Sequence, residues 1–490
     1  MRRNALLTVS VVTILLALIL LAGCGKEDET AGTQLLKELN RNAFGMKYEV
    51  DSDNINAEEA DGGFEVAFRD VNFVVNTEFL KETSFGENIK AAKLPVHFKE
   101  ITFLYKPEKK YLELISMEGM SFRQDITDLI EMPESEDGSR VSVMDIALEA
   151  GSTEIEGYDL SPMITCEGDD IWQMVTKLVE KNQEVEAVTE DLEYKIAMKG
   201  AGAGGEGSNI EDLNMTLSAD EIRIDQNNIS SFFVNLYGKD GLLPDMNELL
   251  KKNHPLFDIE SSFKNMKFSF NAVEEGEKIS GSGSMSDASF SYYVKPNEQQ
   301  THFDFGFDYN LGAVNMTIPF EDAAETAEIL SGIRKLNISF ALKHLSPQLV
   351  GTYLELTRKS MNLQNGPDNM KEVTSGMGQQ LVGQLMMSQP VVDLSIQPFV
   401  HEVGKMEISA EFSMPQAMAP DGAAELKIYD IQKVLAGMKG MKGMDEQDIT
   451  TFRQWADRML EIDNQGNGTL TFRMKKEEPG VRYLNGKRMN

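Results

Sequence analysis

Few residues in this chain have the types and spacing that chemistry needs. Gly200, Gly202 and Gly205 satisfy Gly-x-Gly-x-x-Gly after an alternating stretch, and Asp220 follows at a distance suited to a ribose contact. A dinucleotide site also needs a helix opening directly after the glycines, so that its free N–H groups face the pyrophosphate. Here Glu206-Gly207-Ser208-Asn209 leads into Leu213, Met215 and Leu217 at strand spacing, which reads as a hairpin loop. Asp463-Asn464-Gln465-Gly466-Asn467-Gly468 offers side-chain oxygens like a calcium loop, but Met474 stands at the twelfth position, where a bidentate Glu normally completes the ligand set. A polar turn is the expectation there. Ser261-Ser262-Phe263-Lys264 has the Ser-x-x-Lys spacing of an activated serine nucleophile, yet no Lys-Thr-Gly element accompanies it. The five histidines, at 97, 254, 302, 344 and 401, include no zinc-like pair, and Asp and Glu are too abundant for one acid–base couple to stand out. The expectation is no catalytic residue, no metal site and no cofactor.

The two cysteines differ in setting. Cys24 follows Leu21-Ala22-Gly23 at the end of a stretch, Ala5 to Gly23, without a charged residue, and Arg2 and Arg3 precede that stretch. The run is long enough for a membrane-spanning helix. Its ending differs from such an anchor, because small residues before a cut site suit a signal peptidase. The Leu21-Ala22-Gly23-Cys24 segment resembles the lipobox of bacterial lipoproteins. The resemblance implies cleavage before Cys24, a diacylglycerol on its thiol and acylation of its new amine. Two or more acyl chains hold a protein stably where one does not. Gly25 stands where such proteins carry Asp when retained in the inner membrane, so the implied address is the cell envelope, and the outer membrane facing the periplasm in a Gram-negative cell. Cys166 is left without an intramolecular partner, and its expected state is a buried small hydrophobe.

Composition narrows the function classes. The chain has 490 residues, 41% of them hydrophobic, and a formal net charge of −32. Loss of residues 1–23 takes the charge to about −34. Clustered Lys and Arg, which nucleic acid requires, are absent, so no nucleic-acid partner is expected. Anionic headgroups would repel this body, which leaves lipid on Cys24 as the means of holding it to a membrane.

The elements that would position any site are mostly strands. Phe64, Val66 and Phe68 alternate with polar or small residues, as do Met266, Phe268 and Phe270, and Phe303, Phe305, Phe307 and Tyr309. The same period runs through Leu192 to Met198, Leu213 to Leu217, Met406 to Phe412 and Leu470 to Met474. Helical spacing marks Trp172 to Val179, Met246 to Lys252, Glu321 to Ile333, Leu349 to Leu356, Met370 to Met387, Ile431 to Met438 and Ile449 to Ile462. A Leu-Ser-Pro triplet occurs at 160–162 and again at 345–347, each between a strand pattern and a helix pattern. Pro fits a helix's first turn, with Ser as its cap. Without regular strand–helix alternation, the expected class is α+β: long antiparallel sheets with helices packed on one face, an elongated and repetitive body being one form of it.

The C-terminal part carries a second resemblance. Leu336-Asn337-Ile338-Ser339-Phe340-Ala341-Leu342, a long helical stretch, Gln389-Pro390-Val391-Val392-Asp393-Leu394-Ser395-Ile396-Gln397-Pro398 and the closing Gly480 to Met489 resemble the YdgA-like family of bacterial envelope proteins. That family commonly keeps an uncleaved N-terminal anchor, from which the lipobox departs. The resemblance implies a periplasmic β-rich body and assigns no catalytic residue. The expected organisation is therefore a signal peptide at 1–23, a lipidated polar tether at 24–44, a β-rich body with interspersed helices at 45–335 and an α+β region at 336–490. The expected function is that of a non-enzymatic scaffold, or a protein that contacts lipid or another apolar ligand, with an envelope protein as the other candidate partner. An envelope hydrolase assembled from distant segments, and a surface adhesin, are the alternatives.

Overall fold

The computed structural model describes residues 30–41, 46–76, 93–125, 143–166, 171–199, 210–228, 245–274, 276–318, 327, 330–362, 381–385, 387–413, 420–439, 444–475, 477–478 and 481–489. The described chain is mostly antiparallel β-sheet with fewer helices. It divides into two compact units, Met1–Asp225 with Met266–Ser282, and Gln226–Asn265 with Gly283–Asn490. The expected line at 335/336 therefore falls inside the second unit, within one of its strands.

The first unit begins with helix α1 (Ala31–Leu39), capped by the Thr30 hydroxyl, which accepts from the Thr33 N–H. Strands β1 (Met46–Glu49) and β2 (Ile55–Ala60) both pair with β3 (Gly63–Asn76). From β3 the ladder runs through β4 (Lys93–Lys106), β5 (Tyr111–Asp125), β6 (Val143–Asp159) and, after helices α2 (Ser161–Thr165) and α3 (Ile171–Lys181), β7 (Glu184–Lys199). Strand β8 (Ile210–Asn227) follows. Phe68, Phe73, Phe98 and Phe103 are fully buried in one cluster with Leu35 and Leu39 of α1, Met163 and Ile164 of α2 and Met174 and Leu178 of α3. Each such ring contributes about 1.5–3 kcal/mol on burial, which decides the face that turns inward.

Strict alternation would send half of each long strand to the wrong face, and the chain avoids this at one level. The inward residues run Phe68 then Val71 in β3, Phe98 then Ile101 in β4, Met117 then Met120 in β5, and Ala150 then Thr153 in β6. Each pair is separated by two polar or small residues: Arg69-Asp70, Lys99-Glu100, Glu118-Gly119 and Gly151-Ser152. The ladder partners Asp70/Lys99, Lys99/Gly119, Gly119/Gly151 and Gly151/Asp191 are missing at this level, while the pairing on both sides keeps register. Asp70, Gly119 and Asp191 have φ of 53°, 59° and 51°. A left-handed residue turns the pleat by one position, so a crease crosses five strands and the apolar face stays on one side.

Helix α4 (Met246–Lys252) of the second unit precedes strands β9 (Phe257–Glu274) and β10 (Glu277–Pro296), of which residues 266–282 belong to the first unit. A meander continues through β11 (Phe303–Leu311), β12 (Val314–Thr317), β13 (Ile333–Leu345), helix α5 (Pro347–Asn362), β14 (Val391–His401), β15 (Gly404–Ser413) and β16 (Asp421–Tyr429). Helices α6 (Ile431–Met438) and α7 (Glu446–Met459) come next, then β17 (Glu461–Ile462), β18 (Gly468–Met474), β19 (Arg482–Leu484) and β20 (Lys487–Met489). The ladder order is β10, β11, β13, β14, β15, β16, β18, β19, β20, all antiparallel, with β17 also on β18. Residues 381–385 are helical, as are 327, 330 and 331.

Several expected boundaries shift for physical reasons. The helix expected over 449–462 starts at Glu446, because Asp445 and Asp448 form a reciprocal capping box, and ends at Met459. Glu461 and Ile462 pair with Thr469 and Gly468 instead. Ile333, expected at a helix end, opens β13 opposite His401. Both Leu-Ser-Pro triplets join a strand to a helix, but only Ser346 caps, its hydroxyl accepting from the Leu349 N–H at 3.2 Å. The Ser161 hydroxyl accepts from the Leu112 N–H at 3.0 Å, tying the helix to β5, while the Asp159 carboxylate takes the Ser161 N–H at 2.8 Å.

Candidate functional site

The residues expected to carry the lipid, Cys24 with Leu21, Ala22 and Gly23, lie outside the described residues, as do Gly200, Gly202 and Gly205. Cys166 is buried, 2% exposed, in the apolar cluster of the first unit. The Asp463 turn is closed by its own side chains: the Asp463 carboxylate accepts from the N–H groups of Gln465 and Asn467 and from the Asn467 amide at 2.8–2.9 Å. These hydrogen bonds, led by those from Asn467, hold its pKa below the ordinary carboxylate value. Ser261 and Lys264 lie along β9. Sequence spacing gave no hint that His302 and His344 meet, with ring centroids 5.9 Å apart. Among the described residues no group of three His, Cys, Asp or Glu could hold a metal ion.

The most distinctive surface chemistry lies on the second unit's sheet, built by register. Three apolar rows run across seven strands. Tyr292, Phe307, Phe340, Leu394, Ala410, Ala424 and Phe472 are successive ladder partners. Phe290, Tyr309, Ile338, Ile396, Ile408, Leu426 and Leu470 form the next row, and Val294, Phe305, Leu342, Val392, Phe412, Gly422 and Met474 the third. Phe307 and Phe340 stack at 5.2 Å, and Tyr292 meets Tyr309 edge-on at 5.7 Å. Such pairs add about 0.5–1.5 kcal/mol beyond area burial.

Helices reach parts of these rows. Val294, Phe303, Phe305 and Leu342 cluster with Met246 and Leu250 of α4 and with Leu349, Val350 and Leu354 of α5. Met406, Leu426, Ile428 and Leu470 cluster with Ile431 and Leu435 of α6 and Ile449, Phe452 and Trp455 of α7. Tyr292, Phe307, Tyr309, Phe340, Leu394 and Ile396 belong to neither cluster and are half-buried.

The alternate residues of the same strands point the other way and are polar. Ser291, Asp308, Ser339, Ser395 and Ser409 form one row, flanked by Ser289, Asn310 and Asn337. All of these except Ser409 border, with Glu260, Gln397, Phe290 and Ile338, a cavity of about 420 Å³. The Ser291 hydroxyl donates to Asp308 at 3.1 Å and the Asn310 amide to the Ser289 hydroxyl at 3.0 Å. Beside it, Lys343 pairs with Asp393 at 2.8 Å, and that hydrogen bond raises the lysine's pKa. Burial raises the pKa of Tyr293, whose ring lies against Gly306 and under the Lys295 ammonium.

No family model, no curated protein and no solved structure matches the chain.

Proposed function

We propose that this protein is a non-enzymatic lipoprotein of the bacterial cell envelope, tethered through lipid on Cys24, whose sheets serve as a contact surface for an apolar ligand. The tether reading rests on the Leu21-Ala22-Gly23-Cys24 motif and on Gly25, which favours the outer membrane facing the periplasm in a Gram-negative cell. The resemblance of 336–490 to YdgA-like proteins supports the same compartment. In this reading the helices of both units pack on the apolar side of their sheets.

The observation that carries the ligand reading is the central aromatic block, Tyr292, Phe307, Tyr309 and Phe340, half-buried and outside both helical clusters. An apolar area of that kind, flanked by helices, suits the alkyl part of a ligand. The test is native mass spectrometry of the full chain with Cys24→Ala, purified without detergent. An apolar adduct that is lost in a Tyr292→Ser/Phe340→Ser variant supports the reading. A mass equal to the bare polypeptide, or an adduct indifferent to those changes, contradicts it.

A further inference from the structure

We propose that the polar trough on the opposite side of the second unit's sheet binds a neutral carbohydrate. Four observations lead there. The cavity, about 420 Å³, lies within the usual range of about 300–1,000 Å³ for small-molecule sites, toward the end that suits one or two sugar rings. Its lining mixes hydroxyls (Ser289, Ser291, Ser339, Ser395), amides (Asn310, Asn337, Gln397) and carboxylates (Glu260, Asp308) with two apolar residues, Phe290 and Ile338. The Asn337 side-chain oxygen is buried without a hydrogen-bond partner among the described residues, a state that costs free energy. Among the described residues no Lys or Arg lines the trough, and the nearby Lys343 is already paired with Asp393.

Those features sort the ligand classes. Phosphate or carboxylate ligands need fixed cations, and the lining supplies none. An alkyl chain would strand the polar groups without partners. A metal ion would need a tighter set of ligands than Glu260 and Asp308 provide, and Asp308 already accepts from Ser291. Sugar hydroxyls each donate and accept, so they match a surface where donors and acceptors are interleaved on neighbouring strands about 4.8 Å apart. The register explains the interleaving: Ser291, Asp308, Ser339 and Ser395 are consecutive ladder partners. The proposal is independent of the tether and of the aromatic block.

The test is saturation-transfer NMR on the full chain in a detergent without a sugar headgroup, with glucose, N-acetylglucosamine and maltose as probes. The expected result is saturable transfer in the millimolar range for at least one probe. Ser339→Val/Ser395→Val keeps strand propensity but removes two hydroxyls, and it weakens that binding at least tenfold. Ser339→Thr/Ser395→Thr, which restores the hydroxyls, recovers binding to within about threefold. Absence of saturable transfer in the wild type overturns the proposal, as does equal binding by the valine variant. So does competition of the sugar signal by inorganic phosphate, which would assign the trough to anions.

Discussion

Substitution of Gly119 probes the crease of the first unit. Gly119 has φ +59°, and a Cβ built there would lie 2.7 Å from the Lys99 Cβ. Gly119→Val therefore meets two penalties. A left-handed conformation costs a residue with a Cβ about 1–2 kcal/mol, and forced contact in a packed ladder costs about 1–3 kcal/mol more. The expected loss is about 2–5 kcal/mol. Gly157→Val supplies the control, because Gly157 has φ +69° with nothing among the described residues within 4 Å of its built Cβ. Only the backbone penalty applies there, about 1–2 kcal/mol. Urea unfolding, followed by far-UV circular dichroism, reads the difference. The Gly119 variant should lower the midpoint more than the Gly157 variant at unchanged m-value. Equal midpoints, or a Gly119 variant within about 0.5 kcal/mol of wild type, would refute the claim that the crease needs a residue without a Cβ at this point.

Three other outcomes follow from the same geometry. Ser161→Ala leaves the buried Leu112 N–H without its acceptor and should cost about 1–3 kcal/mol, whereas Ser346→Ala removes a helix cap and should cost about 0.5–2 kcal/mol; thermal unfolding distinguishes them. Cys166, buried in the apolar cluster, should resist a thiol reagent in the native protein and react fully once urea unfolds the first unit; rapid native labelling would contradict its placement. Asp463 accepts three hydrogen bonds that depress its pKa, so its stabilising contribution is fully present above the ordinary carboxylate value and fades as pH falls through the depressed one. The Tm advantage of wild type over Asp463→Ala should accordingly hold from pH 7 to about 5 and shrink below about 4; an advantage that persists undiminished at pH 2 would contradict this.

How much of this was legible in the sequence depends on the range of the interactions involved. Period-two runs such as Phe303 to Tyr309 and Met406 to Phe412 mark their strands directly, because a sheet with one apolar face imposes that period. The helices at Met246–Lys252 and Ile431–Met438 are equally local features, and their bounds agree with the periodicity. The crease is written as a slip in phase, Phe68-Arg69-Asp70-Val71 and Phe98-Lys99-Glu100-Ile101, but a slip acquires meaning only when neighbouring strands place it at one level. Ser161 looks like a cap locally and is claimed by Leu112, 49 residues earlier, a contact that no window on the sequence contains. The polar trough was unreadable for the same reason. Its serines and amides come from four strands, and only register sets Ser291 beside Asp308 and Ser339 beside Ser395.

The claim on which the functional account depends most is that the protein is held to a membrane by lipid on Cys24. Mass spectrometry of the N-terminal proteolytic peptide from detergent-extracted protein, with Cys24→Ala alongside, tests it directly. The account predicts a peptide that begins at Cys24, carries a diacylglycerol and is lost in the variant. An unmodified peptide that retains residues 1–23 would contradict it.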